Sequence, residues 1–278
     1  MVSLNIIIYK TNKLDEIMNF LLIISNQDIA SLNFKETLFQ EYTLEEMNLN
    51  LFKVKIKSSI NKIYLKIINS LHIFSKEEEI IEPNLNIDQI IFLSKHSTLG
   101  EIKPKSMTVH SIGNWGKADL GGLDHTVVKT DAILIRTLLI ELKNNKPISL
   151  KPYEIKQEAT HHGPFLLTPT IFYEIGSSKD EWVNKEVSKF MLICLFKVIS
   201  NYNKEEKKKE KGWIEAVGIG GSHYCTKFNK KTFDEKYPYS FGHVVASYGI
   251  EHINQKPELI EQAKERSNSS VVIKEEEL

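Results

Sequence analysis

Cysteine and arginine are scarce in this chain, and glycine is missing from its first third. Two cysteines, Cys194 and Cys225, are too few for a disulfide framework or a cysteine-only zinc site, which points to a reducing interior. Arg136 and Arg266 are the only arginines, so bidentate phosphate forks are scarce and lysine must meet any polyanion. Net charge is lacking as well. The 36 basic residues balance 36 acidic ones, so no global field attracts nucleic acid and a polyanion site must be a local patch. No apolar run reaches membrane length, and the N-terminus carries no basic flank or small-residue cleavage site. The expectation is a cytoplasmic protein without membrane contact. What is present is ordinary for a soluble globular chain: 278 residues, 41% apolar and 26% charged, enough for one large α/β domain or two small ones.

All 13 glycines lie between Gly100 and Gly249, and His72 is the only one of nine histidines before residue 95. The first third therefore reads as scaffold, with tight turns and titratable groups concentrated later. Leu4 to Tyr9 reads as a buried strand, and Leu14 to Ile24 has helical spacing. Glu36 to Tyr42, Leu49 to Ile56 and Ile60 to Ile68 alternate like half-exposed strands. Asp88 to Leu93 is a buried strand that delivers Ser94 to Thr98 where open α/β sheets place their ligands. Ser106 to His110 is another, and Thr130 is the expected N-cap of a helix over Asp131 to Asn144. Tyr153 to Ala159, Ile171 to Ile175 and Trp213 to Ile219 are further strands, while Ser178 with Glu181 forms a capping box for a helix running to Ile199. Asn203 to Lys211 reads as a surface loop or frayed helix end. Strands interleaved with two strong helices predict a layered α/β/α fold with a mixed sheet. The predicted organisation is one catalytic domain over 1–266, with 1–88 as scaffold and 89–250 bearing the motifs, then a disordered polar tail over 267–278.

Histidine recurs where strands end or glycine turns the chain: His96, His110 before Gly113, His161-His162-Gly163-Pro164, Gly220-Gly221-Ser222-His223-Tyr224, and Gly242-His243. Glu174 adds a carboxylate at a strand end before a helix. Adjacent histidines on extended chain point to opposite faces, so only one of His161 and His162 is expected to face a given pocket. Two chemistries fit. A zinc site needs three or four His, Asp, Glu or Cys ligands, and candidates are in excess, although no His-Glu-x-x-His signature is present. Alternatively, histidine and Glu174 act as base and orienter without metal. The turns at Gly113, Gly163 and Gly220-Gly221 could present N–H groups to an oxyanion. No Gly-x-Ser-x-Gly occurs, which lowers a serine-hydrolase reading.

In combination these segments resemble the D-aminoacyl-tRNA deacylases of the archaeal and plant type. The resemblance rests on Ser94-Lys95-His96-Ser97, His110-Ser111-Ile112-Gly113-Asn114-Trp115, Ala118-Asp119-Leu120-Gly121-Gly122 and Ala159-Thr160-His161-His162-Gly163-Pro164. It continues through Phe172 to Ser178, Glu181-Trp182, Gly218 to Tyr224 and Phe241-Gly242-His243, covering about residues 90 to 250 and leaving the tail outside. It implies hydrolysis of the ester between a D-amino acid and the terminal ribose of tRNA, a Zn2+ requirement, and a fold similar to the phosphorylase and peptidyl-tRNA-hydrolase arrangement.

Within that frame the expected metal ligands are His96, His110, His161 and His223, with His162 and Glu174 as base or orienter. The expected substrate contacts are Asn114, Trp115, Gly163, Gly220, Gly221, Tyr224 and His243, the last also a reserve ligand. Lys95, Lys103, Lys105, Lys117, Lys129, Lys227, Lys230 and Lys231 flank the motifs and are candidates for a phosphate-binding rim on a monomer. Two rival readings differ in class: a metal-dependent amide or nucleoside hydrolase acting on a small substrate, and a non-catalytic tRNA-binding module.

Overall fold

A computed structural model describes residues 17–98 and 100–278. The strand expected over Leu4 to Tyr9 lies outside them. β1 (Asn19–Ser25) leads into α1 (Ile29–Glu41), the hairpin of β2 (Thr43–Asn48) and β3 (Leu51–Lys55), and β4 (Lys62–Ile68). The short α2 (Glu77–Ile80) precedes β5 (Gln89–Lys95), β6 (Ser106–Ser111), β7 (Gly113–Asn114) and β8 (Thr126–Val127). Then come α3 (Ala132–Asn145), β9 (Glu154–Gln157), β10 (Thr170–Gly176), α4 (Lys179–Trp182), α5 (Lys185–Ile199) and α6 (Lys204–Lys211). The chain closes with β11 (Ile214–Ile219), α7 (Thr226–Thr232), β12 (Tyr239–Val245), α8 (Ile250–Gln255), α9 (Glu258–Ser267) and β13 (Val271–Lys274).

The predicted mixed-sheet α/β layering is observed. Eight strands form one sheet in the order β2-β3-β4-β1-β5-β10-β6-β9, and β12-β11-β13 form a second. In the large sheet β4, β1, β5 and β10 run parallel, while β6 runs antiparallel to β10. Alternation along the central strands divides their side chains between two apolar layers. Leu93, Val109, Tyr173 and Ile175 face the layer that includes Phe34 of α1, Leu138 of α3 and Leu195 of α5. Ile90, Phe92 and Phe172 face the other side, where Ile80 and residues from loops, such as Ile112 and Leu166, cover them. Helix α3 also packs on β12, so the small sheet is joined to the large one through it.

Several expectations are corrected. Residues 19–25 are strand rather than the end of a helix, because β1 is buried on both faces and a continuous apolar run carries no decisive period. Glu36 to Tyr42 falls in α1, whose start is fixed by Asp28 accepting from Ser31 N at 2.8 Å. Asp131 rather than Thr130 caps α3, accepting from Ile133 N and Leu134 N at 3.0 and 3.1 Å. The Ser178–Glu181 capping box forms but heads only the short α4, and α5 starts afresh at the Asn184 cap. Lys204 to Lys211 form α6, capped by Asn203 and closed by left-handed Gly212. The tail is not wholly irregular: Val271 to Lys274 pair with Ala216 to Ile219 as β13, adding backbone hydrogen bonds that composition does not display.

Candidate active site

Register explains how the centre is assembled. Phe172 lies opposite both Phe92 and His110, and Glu174 lies opposite both Ser94 and Thr108. With side chains two apart on one face, these six form a patch on the side of the sheet opposite α1, α3 and α5, apolar beneath and polar toward one end. Ser94 Oγ donates to Glu174 Oε1 at 2.7 Å and Thr108 Oγ1 to Oε2 at 3.3 Å, fixing the carboxylate. His72, from the loop after β4, closes the apolar part edge-on to Phe92 and Phe172.

The segment after β9 supplies the opposing wall. Ala159 N donates to His223 O and Thr160 N to Val244 O, so this stretch links the large sheet to the small one. Glu158 is wholly buried there, with His96 Nδ1 and His223 Nε2 each 3.1 Å from its carboxylate and His161 Nε2 at 3.8 Å. Glu174 Oε2 is 3.4 Å from His110 Nε2 and 3.7 Å from His96 Nδ1. Tyr224 OH lies 3.1 Å from His96 Nε2, and Tyr248 OH lies 3.0 Å from His223 Nδ1.

Both members of the histidine pair face this centre. His162 adopts a left-handed backbone (φ 48°), which breaks the alternation expected of extended chain. Ring centroids of His161 and His162 lie 4.5 and 5.2 Å from that of His110. Nδ1 of His110, His161 and His162 meets Ser111 O, Ala159 O and Gly163 O at 3.0, 2.8 and 2.6 Å. A carbonyl only accepts, so Nδ1 carries the proton and Nε2 is the free nitrogen in each neutral ring.

Burial and charge separate the histidines into two groups. Burial lowers His161 well below the ordinary imidazole range, and the neighbouring His162 and His110 reinforce this. Burial and His110 bring His162 down to about 4. At His96, burial also opposes charge, but Glu158 and Glu174 outweigh it and raise the ring to about 11. His110 is raised too, against its burial, by Glu174. Both carboxyls stay ionised despite burial, Glu158 through His223 and His96, Glu174 through His110. Without a metal, the two buried carboxylates therefore favour the charged form of His96 and His110.

Three groups of possible metal donors overlap here: His110, His161 and His162; Glu158, His161 and His223; and His96, Glu158 and Glu174, each with its donor atoms within 4.8 Å of one another. Mixed imidazole and carboxylate donors suit zinc, and carbonyl anchoring of the remote ring nitrogens is how metal-binding histidines are commonly held. His110 Nε2 and Glu158 Oε1 are buried without an aligned hydrogen bond, as donors awaiting a cation would be.

Two cavities meet at His161, His162 and His223. One, of about 580 Å³, is lined by Trp115, Lys117, Tyr248 and His252; the other, of about 550 Å³, by Asp28, His72, Lys95, His96, Glu174 and Tyr224. The structure thus brings together His96, His110, His161, His162, His223, Glu174 and Tyr224. It does not bring in His243, which is buried at Thr160 Oγ1 (3.1 Å) behind the cavity wall. Gly220 and Gly221 lie against Glu275.

Gly113, Gly163 and Gly220 do not supply the expected oxyanion donors. Gly113 N donates to His162 O, Gly163 N to Leu120 O and Gly220 N to Val245 O. Gly163 is instead a close-packing position: a Cβ there would sit 2.3 Å from Gly122 N. Asn114 Nδ2 spends its bonds on Gly121 O and Leu123 O, so it clamps that loop, while Trp115 is a buried wall residue. Sequence reasoning left out Glu158, His72, Asp28, Tyr248 and His252. For Glu158, its place at the end of a predicted strand, three residues before His161, was the available signal.

Buried carboxylates, neutral imidazoles and two adjoining cavities define a hydrolytic type of centre on an α/β scaffold. Residues 83–277 match the family model described as D-aminoacyl-tRNA deacylase, and the chain belongs to that family; its members are enzymes. The match extends through the C-terminal strand that the sequence resemblance had left outside. A D-aminoacyl-tRNA deacylase of Picrophilus torridus is 31% identical over 253 residues, 91% of this chain and 88% of that one. One from Pyrococcus furiosus is 30% identical, covering 88% and 85% respectively. A crystal structure described as a conserved protein of unknown function superposes with a TM-score of 0.77 at 25% identity, covering 94% of this chain and 86% of that one. Among the described residues no helix is long and apolar enough to cross a membrane.

Proposed function

We propose that this protein hydrolyses the ester of D-aminoacyl-tRNA, releasing tRNA and the D-amino acid, at the junction of the two cavities. The observation that carries the reading is the convergence of His161, His162 and His223 between two spaces large enough for the two parts of an aminoacyl-ribose ester. His162, held neutral by burial and with Nε2 free, can accept a proton from water as the ester carbonyl is attacked. Glu158 orients His223, Ala159 O orients His161, and Glu174 holds His110 and His96. We assign Zn2+ to the donor group of Glu158, His161 and His223, which leaves His162 free of the metal. When bound, it supplies Lewis-acid polarisation and acidifies water.

The test is metal analysis of purified protein together with D-Tyr-tRNA hydrolysis before chelation, after it, and after zinc return. Loss on chelation and recovery with zinc supports both activity and metal. Full activity in protein shown to be metal-free overturns the zinc assignment, and no hydrolysis by zinc-loaded folded protein overturns the reading.

A further inference from the structure

A groove of about 590 Å³ shares one wall with the histidine centre. That wall is Tyr224, which lines both the groove and the cavity holding His96 and Glu174. Lys143, Lys146, Lys156 and Lys230 line the groove against Glu154 and Asp234, an excess of cations in a chain with no net charge. Lys156 is only 8% exposed, yet its ammonium pairs with Glu154, a carboxylate mostly in solvent, at 2.5 Å. The same ammonium lies 4.3 Å from the Tyr224 ring centroid. Among the described residues, Lys143, Lys146 and Lys230 have no carboxylate within ion-pair distance, and Lys146 donates instead to Lys151 O and Tyr153 O, which leaves Lys143 and Lys230 as the available cations. Phe233 adds an aromatic face, with Lys143 Nζ 4.1 Å from its centroid.

The local structure keeps this groove in place. Asn229 Nδ2 donates to Tyr224 O and Gln157 O at 2.8 and 2.9 Å, tying α7 to β9 and to the turn that carries Tyr224. On the other side of the centre, the cavity offers Lys117, already paired with Asp124 at 2.6 Å and accompanied by Asp119. Of the two spaces that border the centre, the groove is the more basic.

We propose that the groove binds the single-stranded acceptor end of tRNA, its lysines meeting the phosphates that precede the terminal ribose while the ester lies beyond Tyr224. This rests on the deacylase reading, which supplies a substrate whose ester is attached to a polyanion. Ammonium groups neutralise phosphates without reading sequence, and aromatic faces accept any base, so the groove serves every tRNA alike.

The experiment is binding of uncharged tRNA by the full chain, by fluorescence anisotropy across a salt series. Wild type is compared with Lys143→Gln/Lys230→Gln, the charge-keeping Lys143→Arg/Lys230→Arg, and Lys55→Gln/Lys57→Gln on the far hairpin. The glutamine pair in the groove is expected to raise Kd about tenfold or more and to lower the salt slope by about 1.4, at about 0.7 per neutralised single-strand phosphate. The arginine pair restores both, and the hairpin pair behaves as wild type. Wild-type Kd and slope for the groove pair, equal losses for the hairpin pair, or no tRNA binding by wild type would each overturn the proposal. Uncharged tRNA carries no ester, so the two readings fail separately. Groove-dependent binding without release of D-amino acid sinks the deacylase reading alone, and hydrolysis with a normally binding groove variant sinks the groove alone.

Discussion

Glu158→Gln is the most informative single change, because it keeps the shape of a fully buried side chain and removes its charge. Three histidines reach that carboxylate at 3.1, 3.1 and 3.8 Å. A unit pair at about 3 Å in an effective dielectric of ~20 amounts to about 5 kcal/mol before desolvation is subtracted. Breaking one buried pair typically costs 3–5 kcal/mol, since the partner charge remains uncompensated. His96 retains only Glu174, at 3.7 Å, while His223 loses the carboxylate that aims its Nε2. A wrongly oriented imidazole costs more in rate than in binding, so kcat/KM for D-Tyr-tRNA should fall about 10²–10³-fold, carried by kcat. The assay is single-turnover release of labelled D-tyrosine, with circular dichroism and a melting curve confirming that the variant is folded. A folded variant within threefold of wild type would refute the central role given to Glu158.

Other changes separate structural from chemical roles. Asp131→Ala should destabilise by about 2 kcal/mol, because it removes the α3 cap and the partner of Tyr202 OH at 2.9 Å; Thr130→Ala should cost far less, and urea melts compare them. Gly163→Ala places a Cβ 2.3 Å from Gly122 N, so the loop carrying Asn114's partners must shift and activity should fall below a tenth, measured on folded protein. Acid should destabilise the protein through His243, which burial lowers to about 3. A histidine depressed on folding stabilises the native state fully above its unfolded value near 6.5 and loses that contribution as pH falls. By pH 4.5 the loss is about 2–3 kcal/mol, and His243→Phe should show a smaller drop between pH 7 and 4.5 in urea midpoints.

The later part of the fold was legible because its signals are local. Strands β5, β6, β10 and β11 are compact apolar runs, and glycine or a polar cluster follows each. Histidines at such ends had few places to go except a common cleft. The first third was harder: β1 is buried on both faces, and α1 looked alternating until the layer it packs against is known. What a sequence conceals is the destination of each polar group. Gly113, Gly163 and Gly220 looked like free N–H donors, yet all three are spent within the fold. His162 seemed bound to point away from His161, but one left-handed residue turns both inward. Glu158 passed without a role because a glutamate at a strand end carries no sign of burial. The groove lysines come from α3 and the residue after it, from β9 and from α7, which no spacing connects.

The measurement that bears most directly on the account is initial-rate hydrolysis of D-Tyr-tRNA and L-Tyr-tRNA, side by side, by the zinc-loaded full chain. The account predicts rapid release of D-tyrosine at least a hundredfold over L-tyrosine, about 2.7 kcal/mol of discrimination at the transition state. Equal release of the two, or release of neither, would contradict it.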